Sequence, residues 1–111
     1  MLTYAIISFA IAALGGATLA YMRFTNKTIT VPLALVHGIF AALGLVLLII
    51  GFMHMGGKGI AAALIIFLVA AVGGFTLFSF QLRSRPLPIP LVLIHGIAAV
   101  TAFITLLLNV I

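Results

Sequence analysis

Two histidines stand in nearly the same surroundings, 58 residues apart, in a chain made mostly of hydrocarbon side chains. His37 lies in Leu-Val-His-Gly-Ile at positions 35–39, and His95 lies in Leu-Ile-His-Gly-Ile at positions 93–97. A neutral imidazole can ligate a metal ion through one ring nitrogen while the other donates a hydrogen bond. Because an ionisable side chain in an apolar membrane segment is costly, such a residue usually has a function. The repeated pair therefore suggests one ligand shared by both histidines.

The residue types that are missing exclude several kinds of chemistry. The chain has no cysteine, aspartate or glutamate, so it offers no thiolate metal site, no carboxylate base and no carboxylate proton relay. Small multidrug exporters are similar in length and have four spans, but they use a membrane-embedded glutamate that this chain lacks. The net charge of +5 does not indicate nucleic-acid binding, because four of the five cations lie in two short connections and form no groove-sized patch.

Four apolar runs must position the histidines, and each has about the 20 residues that a helix needs to cross a bilayer core. The runs are Leu2–Met22, Val31–Phe52, Ile60–Phe80 and Ile89–Ile111. Pro32 and Pro90 stand near the starts of the second and fourth runs, and Gly-Gly-Lys-Gly at 56–59 predicts the central turn. With 111 residues, 67% of them hydrophobic, the chain is predicted to be a single all-α domain over residues 1–111, a transmembrane four-helix bundle.

The chain also contains an internal repeat, in which residues 3–53 align with residues 61–111 at an offset of 58. Gly15-Gly16 aligns with Gly73-Gly74, and the prolines and histidines align with each other. Each repeat has two spans, so both copies enter the membrane from the same side and a pseudo-two-fold axis along the membrane normal is expected. Because the first run pairs with the third, we expect it to remain in the mature protein rather than to be cleaved as a signal peptide.

Charge predicts the orientation. The connections between runs one and two and between runs three and four contain Arg23, Lys27, Arg83 and Arg85, whereas Lys58 stands alone in the central turn. By the positive-inside rule, these two connections are cytoplasmic and both termini lie outside. The expected location is a bacterial inner membrane, with the lipid bilayer as a partner.

Counting depth from the basic connections places the repeated residues in one layer. His37 lies five residues after Pro32, about 8 Å below the connection, and Gly15 lies eight residues before Arg23, about 12 Å below it. The two histidines belong to runs that are diagonal in a sequential bundle, with axes about 11–14 Å apart. That separation is too long for a direct hydrogen bond between imidazoles and suits two imidazoles on opposite sides of one metal.

Small residues in the same layer suggest a flat ligand. The two Gly-Gly pairs remove side chains from the first and third runs, and Ala41 and Ala99 follow the histidines on their own helix faces. Space and axial ligands thus coincide, which favours haem over a bare metal ion.

At these residues the chain resembles the b-type membrane cytochromes, especially the four-helix haem-binding core of respiratory cytochrome b. The resemblance concerns architecture and spacing and covers nearly the whole chain. It implies that His37 and His95 are axial ligands of haem b and that Gly15, Gly16, Gly73 and Gly74 leave room for the porphyrin. That family core usually has two histidines on each ligating helix and binds two haems. One histidine on each helix implies one haem per chain.

The basic connections complete this interpretation, because Arg23, Lys27, Arg83 and Arg85 could pair with the haem propionates. Bis-histidine ligation favours electron transfer over oxygen chemistry, so the chain is predicted to be an electron carrier more than a catalyst. Its redox partner is left open among a quinol, a soluble cytochrome and a larger complex, and so is assembly as a homo-oligomer or a subunit.

Three other interpretations are weighed against this one. The histidines could donate to backbone carbonyls in a non-redox accessory or scaffold subunit, whose small residues serve helix packing alone. They could line a path in a small transporter, although mid-span helix breaks are missing. Met53-His54-Met55 could bind Cu(I), although an interfacial turn is the favoured interpretation of that segment.

Overall fold

The computed structural model describes residues 1–111 and contains four helices. They are α1 (Leu2–Phe24), α2 (Val31–Met55), α3 (Lys58–Leu82) and α4 (Ile89–Val110). All four are long and apolar enough to cross a membrane. At 22 to 25 residues each, they extend for about 33–38 Å, which exceeds the hydrocarbon thickness of a bilayer. The predicted all-α bundle of four apolar helices is confirmed.

Proline and glycine mark the helix ends. Pro32 and Pro90 lie in the first turns of α2 and α4, where a missing N–H group costs no hydrogen bond. Gly56 and Gly57 have φ angles of 65° and 100°, a region that L side chains rarely adopt, and these two residues alone form the central turn. The predicted turn was longer, but residues 58 and 59 already belong to α3.

The segment Met53-His54-Met55 is helical, so the interfacial turn expected there is wrong. Helix α2 runs through Met55, and all three side chains are exposed. Consecutive helical residues point in different directions, about 100° apart, so the two thioethers and the imidazole do not converge on one point. The copper interpretation of this segment gains no geometric support.

The helices pair as two hairpins. Helix α1 packs most extensively on α2, and α3 packs most extensively on α4; the α1–α4 and α2–α3 contacts are sparser. Helices α1 and α3 therefore lie on one diagonal, and α2 and α4 lie on the other. The bundle measures 42 × 23 × 20 Å.

The well-packed core lies in the half of the bundle that contains the chain termini. Phe9 and Phe67 stack across the α1–α3 diagonal, with ring centroids 3.8 Å apart and planes 5° from parallel. Leu48 and Leu106 are fully buried beside them. Gly44 lets α2 approach the Phe9 ring, because a Cβ atom there would lie 2.9 Å from a ring carbon. These contacts make the termini half a close-packed unit.

The half of the bundle near the basic connections has few buried residues. Leu77 and Val92 are its only buried side chains between the histidine layer and the connections, whereas the other buried residues lie at or beyond the histidine layer toward the termini. The same four helices thus form one filled half and one half with little core of its own.

Truncating the aromatic stack tests this division of the bundle. We expect Phe67→Ala to lower the free energy of unfolding by about 1–3 kcal/mol. The loss is smaller than in a water-soluble core, because in the unfolded state the Phe67 ring would contact detergent tails instead of water. Phe75→Ala is the matched control, since Phe75 lies on the same helix and is 73% exposed. Unfolding in mixed micelles, followed by circular dichroism, measures both. Equal destabilisation by the two variants would contradict the assignment of the core.

Candidate functional site

Each histidine is tied to the neighbouring helix of its own hairpin. The Nδ1 atom of His37 lies 2.7 Å from the carbonyl oxygen of Ala12 on α1, and Nδ1 of His95 lies 2.7 Å from the carbonyl oxygen of Ala70 on α3. A carbonyl oxygen only accepts hydrogen bonds, so Nδ1 carries the proton in both rings. The other ring nitrogen, Nε2, then has a free lone pair, and it makes no hydrogen bond within the chain.

The Gly-Gly pairs form the seats of these imidazoles. A Cβ atom on Gly16 would lie 2.9 Å from Cε1 of His37, and one on Gly74 would lie 3.1 Å from Cε1 of His95. A Cβ atom on Gly15 or Gly73 would meet the histidine Cβ at 3.4 or 3.5 Å, near ordinary contact distance. The predicted association of the glycines with the histidines is therefore present. The imidazole rings cover the side of each glycine that has no Cβ atom. The spacing of residues along the sequence does not specify this contact.

The two imidazoles approach each other across the α2–α4 diagonal. Their ring centroids are 6.2 Å apart and their planes are nearly perpendicular, at 88°. Metal–nitrogen bonds of about 2.0–2.1 Å, with each ring centre about 1 Å beyond its nitrogen, would put the centres in a two-imidazole site about 6 Å apart. The centroid distance is therefore compatible with two ligands on one metal and also with an edge-to-face contact between two rings, and no hydrogen bond joins the rings.

The residues around the pair also fit a flat group. Ala41 and Ala99 lie four residues beyond the histidines, and both are half-buried. Few buried side chains fill the bundle from this layer to the connections. The donor set and the free Nε2 lone pairs are compatible with a metal-containing group such as haem.

The four basic residues predicted to act together fall into two groups. Arg23, Lys27 and Arg85 line one polar cavity of about 520 Å³ between the two connections. Arg83 lies outside that cavity: its guanidinium donates to the carbonyl and hydroxyl oxygens of Ser79 and lies 5.0 Å from the Phe80 ring centre. Only three of the four cations therefore lie together.

A pair of hydrogen bonds between the connections was not foreseen from the sequence. Nε of Arg23 donates to the carbonyl oxygen of Leu87 at 2.7 Å, and Nε2 of Gln81 donates to the carbonyl oxygen of Ile29 at 3.3 Å. Arg23 aligns with Gln81 at the 58-residue offset, and Ile29 aligns with Leu87. This alignment of two long hydrogen-bond donors is the sequence feature that could have indicated the paired bonds.

Comparison with known proteins leaves the site as the sole basis for assigning a function, since no protein-family model, no curated protein and no solved structure matches this chain.

Proposed function

We propose that the chain is a membrane-embedded b-type cytochrome, in which His37 and His95 ligate the iron of one haem. The observation that carries this proposal is the state of the two rings. Each Nδ1 donates to a backbone carbonyl, and each Nε2 is free, with the ring centres 6.2 Å apart. Histidines that ligate metals are commonly held this way, because the second hydrogen bond fixes the tautomer and the ring orientation.

The packing of the bundle supports a large apolar ligand at this place. The termini half already has a tight core, whereas the half near the basic connections has few buried side chains to stabilise it. A porphyrin held among these apolar residues would supply the missing packing. Haem would supply one-electron iron chemistry when bound, and ligation by both His37 and His95 would favour electron transfer over oxygen binding.

The basic residues would complement the acidic edge of the haem. Arg23 ends the last turn of α1, about 10 Å along the helix from Gly16, and is the basic residue nearest to the histidine layer. Lys27, Arg83 and Arg85 lie further out in the connections. Their positive charges match the propionates, and no carboxylate of the chain competes for them.

Orientation and symmetry are part of the proposal. The bundle would insert with its basic connections on the cytoplasmic side of a bacterial inner membrane and both termini outside. A pseudo-two-fold axis along the membrane normal would relate the hairpins, in agreement with the equal His–Ala hydrogen bonds in both halves. No residue is assigned to the binding of the redox partner, which is a quinol, a soluble cytochrome or a larger complex that contains this chain. The chain itself is a monomer, a homo-oligomer or a subunit of that complex.

A non-redox accessory or scaffold subunit is the second candidate. The observation in its favour is that the His–Ala hydrogen bonds and the Gly–imidazole contacts would fasten each hairpin without a cofactor. Both roles use the same Nδ1 atoms, and only the cytochrome needs the free Nε2 atoms.

The absorption spectrum of the purified protein separates the two candidates. Protein expressed in haem-replete cells should show a Soret band and, after dithionite reduction, sharp α and β bands of a low-spin haem. Extracted haem, measured against protein concentration, should give one haem per chain. A colourless, folded preparation from the same cells would refute the cytochrome proposal and leave the scaffold.

A further inference from the structure

The cavity between the two connections is strongly cationic. It has a volume of about 520 Å³, and its walls are formed by the ends of α1 and α3 and by residues of both connections. Three cationic side chains line it, from Arg23, Lys27 and Arg85. Because the chain has no aspartate or glutamate, no side chain can neutralise these charges. An anion from outside the chain would meet uncompensated positive charge in this cavity.

The walls of this cavity are held in place by backbone and side-chain hydrogen bonds. Asn26 and Ser84 have φ angles of 56° and 55°, and each turns the chain just before a cation. The next amides, of Lys27 and Arg85, then donate to the helix ends at Met22 and Phe80, at 2.8 and 2.9 Å. The two connections thus have the same local geometry and present a cation at equivalent positions.

Crossed hydrogen bonds fix the distance between the walls. Arg23 from α1 holds the second connection at Leu87, and Gln81 from α3 holds the first at Ile29. A pair of flexible loops would close or separate on binding a charge, at a cost in conformational entropy. Here the backbone that carries Lys27 and Arg85 is held in place before any ligand arrives.

Two of the three cations remain available to a ligand. Arg23 already donates from Nε to Leu87 and from Nη1 to Asn26. Lys27 and Arg85 make no side-chain hydrogen bond, although the Lys27 ammonium lies 5.1 Å from the Tyr21 ring centre. An arginine fork and a lysine point charge together are well suited to a tetrahedral oxyanion.

We propose that this cavity binds a phosphate group, held by Lys27 and Arg85 with Arg23 adding charge. Side chains of Asn26, Thr28 and Ser84 also line the cavity and offer neutral donors to the remaining oxygens. The phosphate belongs either to an anionic phospholipid headgroup or to a soluble phosphate compound. The site does not depend on haem, because two propionates would neutralise only two of the four cations at this end of the bundle.

Lipid retention tests the proposal. The protein is placed in nanodiscs of equal parts phosphatidylcholine and phosphatidylglycerol, released into neutral detergent, and analysed for bound lipid by native mass spectrometry. We expect wild type to retain phosphatidylglycerol and the Lys27→Gln/Arg85→Gln variant to retain about tenfold less of it, since the variant removes two charge-assisted contacts to the phosphate. Circular dichroism confirms that the variants are folded, and both replaced side chains are exposed.

Arg83→Gln is the control and is matched to the single variant Arg85→Gln, because each removes one positive charge at the same end of the bundle but Arg83 lies outside the cavity. It should retain phosphatidylglycerol as wild type does. Inorganic phosphate, titrated onto lipid-free protein and followed by ³¹P NMR, identifies a soluble source if it binds and a lipid source if only phosphatidylglycerol does. Equal loss in Arg83→Gln, or binding of neither probe, would overturn the proposal. These readouts do not use absorbance, so they fail or succeed separately from the haem assignment.

Discussion

Replacement of His37 or His95 by asparagine is expected to abolish low-spin haem binding while leaving the hairpin intact. The asparagine amide nitrogen can take the place of Nδ1 and donate to the carbonyl oxygen of Ala12 or Ala70. Asparagine has no counterpart of Nε2, so it removes the proposed iron ligand alone. The sharp reduced α and β bands should be lost, and the Soret band should shift or disappear, because the low-spin state needs nitrogen ligands from both histidines.

Alanine variants and a distant histidine make this experiment decisive. His37→Ala should lose the haem and also the hairpin bond, which in a membrane protein is worth about 0.6 kcal/mol on average. His54→Asn, at the exposed end of α2, should keep the wild-type spectrum. An unchanged spectrum in His37→Asn or His95→Asn would show that the ligand assignment is wrong. A scaffold would give no absorbance change in any variant and would lose stability in the alanine variants only.

The helices and the histidine layer were predictable from the sequence for local reasons. Runs of apolar residues of bilayer length predict helices, and Pro32 and Pro90 mark where two of them begin. The offset of 58 residues then places His37 and His95 at equal depth without any knowledge of packing. In the structure the two ring centroids lie 6.2 Å apart, and a ligand shared by the two rings stays a prediction.

The contacts of the imidazoles were not predictable, because they depend on the rotation of each helix about its axis. Spacing places Gly16 at the depth of His37, but it does not say whether the glycine meets a porphyrin or the imidazole itself. In the structure the imidazole covers the glycine and donates to Ala12, one turn away on the same helix. Local sequence patterns contain no information on such a contact between helices.

The grouping of the basic residues was also only partly predictable from the sequence. Charge alone groups Arg83 with Arg23, Lys27 and Arg85, but side-chain geometry separates it. Arg83 lies near Ser79 and Phe80, one turn back on α3, and bonds there instead of reaching the cavity. Its position aligns with Thr25, not with a cation of the first repeat, and this mismatch is the feature of the sequence that distinguishes it.

The division of the bundle explains how one small fold could stay stable and also bind a large cofactor. The stacked rings of Phe9 and Phe67 and the buried leucines give the termini half a core that needs no ligand. The half near the basic connections can then have few buried side chains without unfolding the chain. Haem would add stability there by mass action, since only the folded bundle brings both imidazoles together.

Adding one methyl group at Gly16 is expected to weaken haem binding about 10–100-fold, whereas the same change at Gly15 should have little effect. A Cβ atom at Gly16 would lie 2.9 Å from Cε1 of His37, so the ring must rotate away from the Ala12 carbonyl, whereas at Gly15 the nearest atom is 3.4 Å away. Both substitutions raise helix propensity equally. A difference in haem affinity between the two variants therefore reports on the position of the imidazole alone. Haem titration of the apoprotein, followed at the Soret band, measures both affinities. Equal affinities in Gly15→Ala and Gly16→Ala would mean that the ring seated on this glycine is not the haem ligand.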